Sequence, residues 1–316
     1  MTTKARLVAA VAAAIAIAGA GRVLAEGEEE RLDALIRSYL SERNATVEIA
    51  PHGQLARRYA VDLTGVVPTL EDLDATAGMA PEEMFDYFVA KGPMAHTGGE
   101  RPYVWINLLK DADRFLFSNS SQFSQVAHVR EFRDQLRRIY DGGLDFQDFA
   151  RWALQSQMFL NRFPSAADRA NAAFFLFLGR DSFASEVQVG NMWNGWYLRN
   201  PDIPASQAET SADYHVHDFD AARCSSGQVN CTAELWAIMG STPEVAIEAM
   251  VSSTLFTEAA VDHYWYRLTG YRMPVADFPE LQRALVRGFV ASGYDVNWLI
   301  REIATSVAYT QQMRFR

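Results

Sequence analysis

Apolar side chains in this chain recur at the spacing of a helix and almost nowhere at the spacing of a strand, and that periodicity limits the fold more than any other feature. Val129, Phe132, Leu136 and Ile139 line one face of a helix, and Leu299, Ile303 and Val307 recur every four residues behind Asp295, an N-cap residue type. Pro68 followed by Thr69-Leu70-Glu71-Asp72 predicts a helix start with an acidic residue at the third helical position. Thr242-Pro243-Glu244 predicts another, since proline tolerates the first turn and a carboxylate suits its positive end. Gly92-Pro93, Gly142-Gly143 and Gly293 punctuate the helices, and Thr46–Ile49 is the one weak strand signal. The expected class is all-α: a multi-helix globular protein of short and medium helices.

One stretch breaks the pattern. Arg199–Thr232 carries Pro201 and Pro204, a run rich in Ser, Ala, Thr and Asp, and both cysteines. So long a segment without periodicity marks a functional loop or a boundary. The expected organisation is an N-terminal helical lobe (26–198), an irregular connection with a disulfide loop (199–232) and a C-terminal helical lobe (233–316).

Residues 1–25 read as a secretory signal peptide: Lys4 and Arg6, the apolar run Leu7–Ala20, then Val23-Leu24-Ala25 before the acidic Glu26. The apolar run is shorter than the roughly 20 residues that span a bilayer, and no second stretch could cross one. The expectation is an exported protein of the periplasm or cell surface with no membrane span after cleavage. Cleavage removes Lys4, Arg6 and Arg22 and moves the formal charge from −10 to −13. That acidic field disfavours nucleic acid as a partner. Outside the cytosol, Cys224 and Cys231 are expected to oxidise and pin a small local loop.

The segment Arg57-Arg58-Tyr59-Ala60-Val61-Asp62-Leu63-Thr64-Gly65-Val66-Val67-Pro68-Thr69 resembles the opening of the planctomycete-type secreted "cytochrome c-like" domain of unknown function. Trp105 to Phe115, Arg130-Glu131-Phe132-Arg133 and Tyr140 to Phe149 resemble its later helices. Val261 to Gly270 and Phe289 to Tyr309 resemble the companion C-terminal secreted domain. The resemblance implies a helical module that works beside other exported domains. Many members carry Cys-x-x-Cys-His and then His-x-Phe-Asp; here the comparable stretch is Tyr214-His215-Val216-His217-Asp218-Phe219-Asp220, and no Cys-x-x-Cys occurs. A covalent c-type haem is therefore not expected. Read physically, Asp62 and Thr64 cap or bridge at a helix end, Gly65 takes a left-handed C-cap, and Pro68-Thr69 restarts the chain.

Several groups could carry chemistry. His215, His217, Asp218 and Asp220 offer donors for a divalent metal such as zinc or copper, although the spacing matches no strong zinc signature and a solvated loop competes with that reading. Trp193, Trp196 and Tyr197 form an aromatic knot that could bind a ring-shaped ligand or pack a core. Tyr264-Trp265-Tyr266 reads as buried. Asp111 with Asp113, and Asp145 with Asp148, read as solvated helix faces or caps rather than acid–base pairs, and the lone His52, His96, His128 and His263 as structural. No catalytic signature is present: neither Gly-x-Ser-x-Gly nor His-Glu-x-x-His, nor a phosphate loop. The expected function is a non-catalytic binding or scaffold module of an exported assembly with a protein partner. The alternatives are a metal or redox protein using His215 and His217, and a hydrolase of an envelope polymer.

Overall fold

A computed structural model describes residues 32–43, 48–115, 126–163, 166–179, 247–248 and 250–311. Among them 72% are helical and no strand occurs, so the all-α expectation holds. Residues 1–25, Trp193, Trp196 and Tyr197, His215, His217, Asp218 and Asp220, and both cysteines, with the expectations placed on them, lie outside the described residues.

The helices, in chain order, are α1 (32–42), α2 (His52–Thr64), α3 (Leu70–Ala75), α4 (Pro81–Val89), α5 (Pro102–Arg114), α6 (Val126–Tyr140), α7 (Phe146–Ala153), α8 (Gln157–Arg162), α9 (Ala166–Leu178), α10 (Thr254–Thr269), α11 (Pro279–Ala291), α12 (Val296–Thr305) and α13 (Val307–Thr310). A single 3₁₀ turn, Ala95–Thr97, precedes α5. Local chemistry sets most boundaries. Thr69 and Asp72 form the expected capping box at α3, with Thr69 N–H donating to Asp72 Oδ2 at 2.9 Å and Asp72 N–H to Thr69 Oγ1 at 3.1 Å. Asp145 and Asp295 cap α7 and α12. Gly65 ends α2 at φ 77°, where a side chain would be strained and its Cβ would stand 3.0 Å from the Trp105 ring.

Helix α10 is the centre of the packing, with α9, α11, α12 and α13 against it. Its residues are buried nearly all round, from Leu255 and Phe256 to Trp265 and Leu268. The expected face of α6 is also found inside: Phe132, Leu136 and Ile139 are buried and Val129 packs against them. An aromatic cluster joins α6, α7 and α10, with ring centroids 5.5 Å apart for Phe132–Phe149 and 5.4 Å for Phe146–Phe256. Residues from before and after 199–232 thus enter one core.

The segment carrying the family resemblance has a definite place. On α2, Arg58 donates to the carbonyls of Tyr309 (2.7 Å) and Gln311 (2.9 Å), and Tyr59 to that of Ala304 (2.8 Å). Tyr309 donates its hydroxyl to Asp62 at 2.8 Å, and Lys110 of α5 lies 3.5 Å from the same carboxylate. Asp62 bridges helices and Thr64 bonds the Ala60 carbonyl within its own helix. Of the Thr46–Ile49 strand signal, Thr46 and Val47 lie outside the described residues, and Ile49 forms an isolated antiparallel bridge with Gln311.

Candidate functional site

Helix α5 sends one stripe inward: Val104, Asn107, Asp111 and Phe115 are all buried. These positions are three and four apart, so a stripe that should be apolar carries two polar residues. This corrects the reading of Asp111 as part of a solvated face. Its carboxylate accepts a short hydrogen bond from Tyr140 of α6 and lies 3.4 Å from the Tyr264 hydroxyl. The two phenol oxygens are 3.1 Å apart. Arg267 of α10 places Nη1 3.4 Å from Asp111 and donates through Nη2 to Asn107. Asn107 in turn donates to the Tyr103 carbonyl at 2.7 Å.

Burial disfavours the ionised form of both phenols, and the Asp111 charge adds to it, so Tyr140 and Tyr264 stay protonated well above ordinary tyrosine. Burial works the other way on Arg267, but the Asp111 carboxylate beside it outweighs that and holds the guanidinium charged. Lys110 is pulled below ordinary lysine by burial and by Arg267. His263 stands at the edge of this cluster, its Nε2 3.9 Å from Asp111. The group is a buried ion pair within a hydrogen-bonded frame, an arrangement that holds three helices in register.

Above this frame lies a cleft of about 430 Å³ between α4, the start of α5, the end of α6 and the start of α12. Tyr103 and Tyr140 form its floor, and both are tied into the frame or its margin. Tyr103 donates to Asn297 Oδ1 at 2.8 Å, and Asn297 Nδ2 donates to the Ile139 carbonyl at 3.0 Å. Trp298 makes one wall and is seated on Gly288, where a Cβ would come within 2.2 Å of the indole. Tyr294, at φ 59°, turns the chain from α11 into α12; its carbonyl accepts from Phe146 N–H at 3.1 Å and its ring packs on Phe289 at 5.6 Å. Arg101, the residue before α5, and Arg301 of α12 stand at the rim. Arg101 pairs with Asp141 at 2.6 Å, and Arg301 pairs with Asp86 and lies 5.6 Å from the Phe85 ring.

The remaining expectations divide. Asp145 is a cap and Asp148 an exposed partner of Arg151 at 2.7 Å, as read. His52 is hydrogen-bonded to Thr76 at 3.1 Å and His96 packs edge-on to Trp105, both structural. The Tyr264-Trp265-Tyr266 run is corrected at its third residue, since Tyr264 and Trp265 are buried but Tyr266 is 54% exposed. Three consecutive helical residues span about 200°, more than the buried face of most helices. The cleft was missed altogether, because its residues come from four separated segments; the one local signal was the polar Asn107 and Asp111 on the inward stripe of α5. No group of three His, Cys, Asp or Glu suited to a metal occurs among the described residues, and none of their helices is long and apolar enough to cross a membrane.

Comparison of the chain with protein-family models, with curated proteins and with solved structures found no match.

Proposed function

We propose that this chain is an exported, non-catalytic binding module, and that the cleft walled by Trp298 takes a segment of a protein partner from the same periplasmic or surface assembly. The observation that carries this reading is the cleft itself: a concave aromatic surface whose floor is fixed from beneath by the Asp111 frame. Binding to a surface already in shape spends little affinity on ordering it. Aromatic and arginine side chains are also the residue types that dominate protein recognition. The two rim arginines, Arg101 and Arg301, suit a segment with an apolar side chain flanked by a carboxylate. The signal-like pattern of residues 1–25 and the resemblance of residues 57–69 to an exported family support the compartment.

The test is a photo-crosslinking amino acid at Val89, on the cleft wall, with a control at the exposed Leu70 on α3. In cells, one discrete adduct is expected from Val89 in the extracytoplasmic fraction, lost when Arg101→Glu and Arg301→Glu are combined. Equal adducts from Leu70, or none from Val89, would overturn the assignment.

A further inference from the structure

A second cavity, of about 220 Å³, shares no residue with the cleft and lies between α1, the end of α10, the 271–281 segment and the end of α13. Tyr39, Trp265, Tyr271 and Phe278 bring four aromatic rings to its wall, with Leu40 and Leu281 beside them. The rings hold one another: Tyr39 stacks on Phe278 at 5.2 Å, and Tyr271 meets Trp265 edge-on at 6.0 Å. Tyr271 is fixed further by donating its hydroxyl to the Ala308 carbonyl at 3.3 Å. Rings braced in this way resist collapse into the space between them, so a guest meets a site already in shape.

Two features of the wall define the guest. No charged side chain lines the cavity, so an ion there would lose its water without gaining a countercharge, whereas a neutral molecule would not. The second feature is Trp265. It is 1% exposed, and its indole Nε1–H is buried with no hydrogen-bond acceptor among the described residues. Buried polar groups nearly always have a partner, and an indole nitrogen can only donate, so this one calls for a lone pair that a guest would bring. Size sets the rest. An apolar cavity of roughly 150 Å³ admits a benzene ring, and about 220 Å³ admits that ring together with a short substituent carrying the acceptor.

We propose that this cavity binds a small, neutral aromatic molecule bearing a carbonyl oxygen, with the four rings packed about its body and Trp265 Nε1–H donating to that oxygen. The rings supply affinity for the apolar part and the single donor sets the orientation. The site stands apart from the partner-binding cleft and does not depend on it.

The probes are acetophenone and its hydrocarbon isostere isopropenylbenzene, which carries a CH₂ group where the ketone has its oxygen. Each is titrated into the full mature chain with nitrogen-15-labelled indoles, the Trp265 signal being assigned by its loss in Trp265→Phe. Acetophenone is expected to bind once per chain and to move the Trp265 indole N–H downfield. The hydrocarbon should bind about tenfold more weakly, the value of one neutral hydrogen bond, without that shift. In Trp265→Phe the two probes should bind alike, and Leu40→Trp, which fills the cavity from a half-buried wall position, should bind neither while keeping its helicity. Equal affinity of wild type for the two probes overturns the proposal, as does undiminished binding by Leu40→Trp. A shift confined to Trp298 overturns it as well, because the ketone would then be in the cleft.

Discussion

Asp111→Asn is the sharpest perturbation that this structure offers. The carboxylate accepts from Tyr140, stands 3.4 Å from Arg267 Nη1 and 3.4 Å from the Tyr264 hydroxyl, and its side chain is 1% exposed against 10% for that of Arg267. Asparagine keeps the shape and an acceptor but leaves the Arg267 guanidinium buried without a countercharge. Breaking a buried pair from one side costs about 3–5 kcal/mol, and the retained acceptor places the expected loss near the lower end. Tyr140→Phe removes one bond to a charged group, about 1.5–3 kcal/mol. Tyr264→Phe, whose contact with Asp111 is long, should cost under about 1 kcal/mol. The order Asp111→Asn, Tyr140→Phe, Tyr264→Phe is read from urea denaturation followed by far-UV circular dichroism, with unchanged slope. Replacing both charges, Asp111→Leu with Arg267→Met, should recover much of the loss, because an apolar pair needs no countercharge. A loss from Asp111→Asn below about 1 kcal/mol, the value of a solvated surface pair, or a double variant as unstable as the sum of its parts, would refute the claim that this pair is desolvated.

Burial alone would raise Asp72, but the Lys91, Thr69 and Tyr87 bonds hold it down to about 2 from 3.8. Its stabilisation is therefore complete above the unfolded value near 3.8 and is lost as pH falls through 2. Wild type should lose about 1–2 kcal/mol more than Asp72→Asn between pH 5 and pH 2, after allowance for solvent screening, and parallel pH–stability curves would count against the capping-box account. Gly288→Ala should cost about 1–3 kcal/mol and shift the Trp298 fluorescence, since its Cβ would overlap the indole; an unchanged emission spectrum and midpoint would show that the ring is not seated there. Metal analysis of the purified mature protein should distinguish wild type from a His215→Ala, His217→Ala double variant only if those imidazoles hold an ion, and equal metal content in the two would end that alternative.

The parts of this protein that were legible in its sequence are those governed by neighbours three or four residues apart. The capping box of Thr69 and Asp72, the caps at Asp145 and Asp295, the left-handed stop at Gly65 and the inward face of α6 all depend on local hydrogen bonds or helical pitch, so one chain segment suffices to determine each. Helical class followed from the same short-range rules. The environment of Asp111 did not, because its partners Tyr140, Tyr264 and Arg267 stand 29, 153 and 156 residues away, and its place on the stripe with Val104 and Phe115 hints at burial without naming any of them. The cleft depended on the same long-range packing: the turn at Tyr294 and the bare surface of Gly288 place Trp298 opposite Phe85 and Tyr103 only once α4, α5, α6 and α12 have met. Local sequence determined the helices and where they stop; the tertiary packing alone decided which polar groups lost their water and which aromatic rings were left facing a cleft, because desolvation is a property of what surrounds a side chain in space and not of its neighbours along the chain.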